Sequence, residues 1–288
     1  EIILSDDAST DNTFAVMTKL AEEYNGSHDI KLNQNSANLG IGLHVNAALA
    51  LTQGELVFAA AGDDISLSNR CSKVVSAWLA LDKKVDLIST GVFDMAFNGD
   101  ILGTKQIDKL ENWHNIEDWF SRHPFIIGAS HTWSRNLINR FGMLEPKIGS
   151  EDQVMTFRSI LTGSAINIPE PLVKHRRGGV SEKTRYVSVY TKRQEIVAGN
   201  EGNLEFTNQC IKDAKVLGQE EIVIAGFKST KEQSRFVQNI FNSNSIIEKI
   251  KIAFGAKKIK LSKRIRFLIY AAFPWLLIPI FFIKTQLG

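Results

Sequence analysis

The first 81 residues alternate between short apolar runs and amphipathic stretches, and this alternation restricts the fold more than any other feature of the chain. Residues 1–5 (EIILS) read as a buried strand. Residues 12–24 read as a helix opened by the capping candidates Thr10 and Asp11. A second strand is expected at 29–32, and NLGIG at 38–42 is a turn leading into a helix. Residues 55–61 form a third strand and 67–81 a third helix. A β-α-β-α-β-α order predicts an α/β fold with a mostly parallel sheet flanked by helices. The rhythm then changes. Residues 85–97 are strand-like, Asn98-Gly99 signals a hairpin, and 116–121 and 136–141 read as short helices, the latter stopped by Gly142. Ser150-Glu151-Asp152-Gln153 has the S-x-x-Q form of a capping box before a helix to Leu161. Short strands are expected at 165–168 and 172–175, and 182–254 is mainly helical and polar, a helical C-terminal extension.

The hydrophobic fraction of 44% and charged fraction of 23% are those of a chain with a real core, and a net charge of +3 gives no reason to invoke nucleic acid. Cys71 and Cys210 lie far apart in no C-x-x-C pattern, which fits a reduced, cytoplasmic setting. Charge is concentrated near the C-terminus, where residues 249–266 hold eight Lys/Arg and no acid. Directly after them come seventeen uncharged residues, FLIYAAFPWLLIPIFFI at 267–283, at the lower limit for spanning a bilayer. Pro274 and Pro279 interrupt a straight helix there. A buried terminal helix is one reading. The basic flank favours the other, a membrane-associating segment at 255–288 on the cytoplasmic face of the inner or plasma membrane.

Two of the strands end in paired acids. Residues 58–65 read FAAAGDDI, with Asp63 and Asp64 at the strand tip, and residues 5–10 read SDDAST, with Asp6 and Asp7. Adjacent carboxylates repel unless a cation sits beside them. Mg²⁺ suits such a place, because it takes one or two protein carboxylates and completes its shell with water and substrate phosphates. A strand-tip carboxylate can also accept hydrogen bonds from a nucleobase N–H or a ribose hydroxyl. The simpler reading of each pair is a solvated turn that caps the next helix. Asp152 likewise fits the first turn of a helix, where the dipole favours a negative charge and tends to lower a carboxyl pKa. Trp113, Trp119 and Trp133 could stack on a sugar, though core packing is the default for each.

EIILSDDASTDNT, then NLGIGLHVNAALALTQGELVFAAAGDDI, then SEDQ together resemble the family 2 glycosyltransferases of the GT-A fold, of the bacterial cell-surface glycan type, over about residues 1–180. The resemblance implies transfer of a sugar, with inversion, from a nucleotide-sugar donor to a hydroxyl of a glycan or lipid-linked acceptor. It implies Mg²⁺ or Mn²⁺ as cofactor. Asp6 and Asp7 match the acids that contact the donor base and ribose. Asp63 matches the last acid of the family's D-x-D, the metal ligand, and Asp64 follows it on the donor side. Ala61 stands where the first acid of D-x-D would be, a departure from the pattern. Asp152 matches the acid proposed as general base, with Glu151 beside it, and Gly128, Ala129 and Arg135 fall in the acceptor region. In HRRGGVS, His175 could assist the metal or the donor phosphates and Arg176 or Arg177 could pair with diphosphate oxygens, or the segment is a basic turn bent at Gly178 and Gly179. The expected organisation is a catalytic domain at 1–181, a helical extension at 182–254 and the membrane-associating segment at 255–288. Family members carry one more strand ahead of the one matched by residues 1–5, so a strand is expected upstream of Glu1. Two other functions fit the same acids: a metal-dependent nucleotidyltransferase, and an inactive membrane-tethered nucleotide-sugar-binding protein, which Ala61 favours.

Overall fold

In the computed structural model, residues 1–178, 188–279 and Phe281 are described. The elements follow in the order β1 (Ile2–Asp6), α1 (Thr13–Glu23), β2 (Ile30–Gln34), α2 (Ile41–Leu51), β3 (Leu56–Phe58), β4 (Ile65–Ser66), α3 (Arg70–Ala80), β5 (Leu87–Met95) and β6 (Ile101–Lys105). After these come α4 (Ile116–Ser121), β7 (Thr132–Ser134), α5 (Arg135–Phe141), α6 (Glu151–Leu161), β8 (Ala165–Arg176), α7 (Val189–Val216), α8 (Glu220–Gly226), α9 (Lys228–Asn242), α10 (Ile246–Gly255) and α11 (Leu261–Ala272). Two compact units divide the chain. One comprises Glu1–Val180 and Gln209–Val223, the other Ser181–Asn208 and Ile224–Gly288.

The first unit is α/β, and its sheet is mixed. β1 and β2 pair in parallel as a two-stranded sheet. A six-stranded sheet runs β3-β7-β5-β8-β4, with β6 also on β5. Only the β5–β8 pair of that sheet is parallel. The short strands β3, β4, β6 and β7 all pair antiparallel. The β5–β6 connection is the hairpin that Asn98-Gly99 predicts, with Gly99 at a φ of 97°. The two short strands expected at 165–168 and 172–175 are one strand, β8, whose register shifts opposite Gly91. A Cβ at Gly91 would lie 2.5 Å from the Pro169 carbonyl oxygen, so only glycine lets β5 pass that irregularity.

The core lies on the faces of this sheet. Val74 and Trp78 of α3 pack with Val85 and Ile88 against one part of it, and β5 is buried throughout except at Phe93. Ser150 stands at the N-cap of α6, but its side chain makes no capping bond, so the expected capping box does not form. What anchors α6 is farther along. Arg158 and Asp213, both with 0% side-chain exposure, meet through Nε–Oδ2 at 2.8 Å and Nη2–Oδ1 at 3.1 Å. Arg158 Nη1 donates to the Gly142 carbonyl at 2.9 Å, and Gln209 Nε2 donates to Asp213 Oδ1 at 2.9 Å. The pair is therefore embedded in further hydrogen bonds, which is the condition under which buried charges are tolerated.

The second unit is helical. Phe236, Val237, Ile240 and Phe241 of α9, Ala253 of α10 and Phe267 and Ala271 of α11 form its core. The apolar run at 267–283 is thus partly core. α11 ends at Ala272, and a 3-10 turn at Pro274–Leu277 follows. Among the described residues no helix is long and apolar enough to cross a membrane. Residues 280, 282 and 283 of that run, and Gly179 of the expected basic turn, lie outside the described residues.

Because truncating one partner strands a buried charge, Arg158→Ala is expected to cost about 3–5 kcal/mol. Urea unfolding of the variant checks this. Replacing both partners by apolar residues, Arg158→Met with Asp213→Leu, should recover most of the loss.

Candidate active site

β1 pairs only with β2 and β3 only with β7 among the described residues, so each keeps one open edge. A cavity of about 1170 Å³ is walled by residue 1, by residues 2–5 of β1 and by 56–62. Around it are Asp11, Asn12 and Thr13 at the start of α1, His44 of α2, Gly128, Ala129, Trp133, and Glu151 at the start of α6.

β3 leads through Ala59–Gly62 to Asp63 and Asp64, and β8 clamps this turn. The Arg176 backbone N–H donates to Asp64 Oδ1 at 2.7 Å. Its Nε donates to the Asp63 carbonyl at 3.0 Å and its Nη1 to the Phe97 carbonyl at 2.6 Å. The guanidinium predicted to face a diphosphate is therefore engaged in fastening the acid turn and the hairpin tip. Asp63 is exposed, while Asp64 is half-buried. Burial pushes the Asp64 carboxyl up, and the Asp63 charge adds to this, against the opposing Arg176 N–H and His175. Lys105 Nζ lies 3.3 Å from His175 Nδ1 and 3.0 Å from Asp94 Oδ1. Arg177 also grips Asp94, with Nε at 3.0 Å from Oδ1 and Nη2 on Oδ2. Arg177, then Lys105, hold the Asp94 carboxyl down to about 2. Among the described residues no group of three or more His, Cys, Asp and Glu is placed to hold a metal ion.

The acids after β1 are occupied differently. Asp6 is buried and accepts from Ser9 N at 3.1 Å and Gln34 Nε2 at 3.3 Å, and Ser9 holds its carboxyl below the usual range. Asp7 accepts from Asn35 Nδ2 and Leu39 N, both at 2.8 Å, and from Gly40 N at 3.0 Å. Burial opposes the charge on Asp7, but these donors outweigh it and lower the pKa. Asp7 thereby pins the NLGIG turn, where Gly40 takes a φ of 76°. Neither acid is among the residues lining the cavity. Asp11 lines it, and its Oδ1 accepts from Thr13 N at 2.9 Å.

Glu151 and Asp152 open α6. Asp152 packs so closely on Gly128 that a Cβ at Gly128 would come within 2.7 Å of the Asp152 Cβ. Burial pushes the Glu151 carboxyl up to about 7, with the Asp152 charge second, and burial raises Asp152 too. The lowering expected from the helix dipole is overridden, because desolvation is the larger effect at this site. Trp113 and Trp119 are core residues and Trp133 reaches the cavity wall. Arg135 donates to the Gly54 carbonyl at 3.1 Å and to Thr52 Oγ1 at 2.7 Å, holding the segment that enters β3. Sequence reasoning missed Asp94 and Lys105. A lone acid inside the apolar run VFDMAF was the available signal for the first, and nothing local marked the second.

An α/β unit with acids gathered at its strand ends and at a helix start beside a large cleft is the arrangement of a GT-A transferase fold. Residues 1–141 match the model of glycosyl transferase family 2, and over this segment the chain is similar to that family. Over 96 residues it is 38% identical to the "Putative glycosyltransferase EpsE" of Bacillus subtilis (strain 168), covering 33% of this chain and 34% of that protein. The chain thus matches about a third of the length of this curated relative. The crystal structure of S. aureus TarS 1–349 in complex with UDP-GlcNAc aligns with a TM-score of 0.50 at 16% identity, covering 94% of this chain and 81% of that one. This likeness shows the fold.

A carboxyl near 7 in the folded state and near 4.5 in the unfolded chain makes the native state bind the extra proton between those values. Stability contributed by Glu151 therefore falls as pH rises through that window. Glu151→Gln should be more stable than the parent at pH 8 by about 1–3 kcal/mol, a gap that closes toward pH 4–5. Melting curves across pH check this, and in an NMR titration Asp152→Asn should lower the Glu151 midpoint.

Proposed function

We propose that this chain transfers a glycosyl group from a nucleotide-sugar donor to an acceptor hydroxyl with inversion, in assembly of a surface polysaccharide or glycolipid. The observation that carries the reading is the acid pair at the start of α6, with Glu151 on the cavity wall and its carboxyl raised to about 7. A carboxylate of that basicity suits the removal of a proton from a hydroxyl near neutral pH. As the acceptor oxygen attacks the anomeric carbon, Glu151 takes its proton, and the bond to the nucleoside diphosphate breaks on the opposite face of the sugar. Burial, and then the charge of Asp152, which is held against Gly128, keep the Glu151 carboxyl basic. That S. aureus TarS, which shares the fold, is solved with UDP-GlcNAc supports a nucleotide-sugar donor for this cleft.

The acid turn fits a divalent cation. Asp63 and Asp64 stand side by side, and burial and like charge raise Asp64, a cost that a cation would relieve. Mg²⁺ or Mn²⁺ needs few protein ligands when substrate oxygens supply the rest. Asp63 would hold it, with Asp64 adjoining. When bound, the ion supplies Lewis-acid stabilisation of charge on the diphosphate oxygens. Arg176 fixes the acid turn, and His175 and Lys105 stand beside it as groups for the donor phosphates. Asp6 ties the end of β1 to Gln34 of β2, and Asp7 shapes the loop that follows β2.

Glu151→Gln is expected to lower turnover by about 10²–10⁴-fold while calorimetric binding of the donor survives. The parent rate should rise with pH through a midpoint near 7, set by the Glu151 carboxyl. Full turnover in Glu151→Gln would sink the assignment. Asp63→Asn should abolish the Mn²⁺-dependent part of donor binding across a panel of nucleotide sugars.

A further inference from the structure

α10 has two apolar faces. Ala253 and the stem of Lys249 turn toward the core of the second unit, where Lys249 Nζ donates to the Ala271 carbonyl at 2.9 Å. Ile246, Ile247, Ile250 and Phe254 turn outward, and Ile247 and Phe254 are 68% and 61% exposed. At about 100° per residue, these four positions fall within one arc of roughly a quarter turn. The stripe continues onto α11. Arg264 Nη1 donates to the carbonyls of Ala253 and Phe254 at 3.1 and 3.2 Å, which brings the start of α11 to the end of α10. There Leu261 and Ile265, one turn apart, are also exposed.

The charge around this stripe is mostly positive. Lys258 pairs with Glu232, and Lys263 bonds Gln233. Among the described residues Lys251, Lys257, Lys260 and Arg266 have no acidic partner in ion-pair range. The one acid of α10, Glu248, accepts from Ser243 Oγ at 2.7 Å. Trp275, in the turn after α11, is exposed as well.

We propose that the second unit docks on an anionic lipid bilayer through the outer stripe of α10 and the first turns of α11, with these helices lying in the plane of the membrane. Isoleucine and phenylalanine enter the acyl boundary while the interleaved lysines reach up to lipid phosphates. A cytoplasmic leaflet has that negative charge. A second copy of this chain would bring lysine against lysine, and nucleic acid would leave the aliphatic stripe in water. The docking residues begin at Ile246, ahead of the segment that hydropathy marks, because Phe267 and Ala271 are turned into the core. This surface stands apart from the transferase reading and does not depend on it.

The test is co-sedimentation of the full chain with vesicles of equimolar phosphatidylglycerol and phosphatidylcholine, beside vesicles of phosphatidylcholine alone. The expected result is binding to the anionic vesicles, weakened by salt. Ile247→Glu with Phe254→Glu should lower the partition coefficient at least about tenfold. Lys251→Gln with Lys257→Gln should lower it by a similar factor. The melting temperature should be unchanged in both, since all four side chains are exposed. Sedimentation of the Glu variant equal to the parent, or equal binding to neutral vesicles, would overturn the proposal. So would a concentration-dependent dimer, seen by light scattering and abolished by the Glu variant, in a parent that ignores vesicles. That outcome assigns the stripe to a second copy.

Discussion

The pairing of β5 with β8 is the constraint on which the first unit depends. The two strands run in parallel from Leu87 opposite Ala165 to Met95 opposite Arg176, and β5 is buried along nearly its whole length. The register sets Asp94 opposite His175. A slip of one residue would turn every side chain of β8 to the other face and separate the charged groups at its end from those on β5. Glycine at 91 absorbs the irregularity halfway along, so that the ends of both strands still coincide. The hairpin to β6 then adds Lys105 to the same cluster.

Acidic charge in the first unit is controlled by two opposite devices. At Asp94 and Asp7, donors crowd the carboxylate and hold it ionised. At Asp64, Glu151 and Asp152, burial raises the carboxyl. Acids kept charged by bonded partners are structural ties. Acids that are costly to charge are those whose state responds to a ligand, a cation or a proton. Of these five acids only Glu151 lines the cavity. Arg176 ties the acid turn to the end of β8, through its backbone N–H to Asp64 and its Nε to the Asp63 carbonyl.

The α/β alternation, the helix beginning at Glu151 and the Asn98-Gly99 hairpin were all legible in the order of residues alone, whereas β3 ends at Phe58 and leaves Asp63 and Asp64 in a turn beyond the expected strand tip. Each depends on neighbours in the chain: side-chain periodicity, a breaker residue or two adjacent charges. The family resemblance rested on the same local blocks, and the family model covers residues 1–141, where most of those blocks lie.

Only the tertiary structure decided what each of those residues meets. It joined the two expected strands at 165–175 into one, and it engaged Asp7 with the NLGIG turn. It turned Phe267 and Ala271 inward and left Ile247 and Phe254 outside. It brought Asp94 of β5, Lys105 of β6, and His175 and Arg177 at the end of β8 together, and raised Glu151 to about 7. The reason is physical. Periodicity reports that an element has an apolar face, but burial, hydrogen-bond partners and proton affinity are set by atoms distant in sequence.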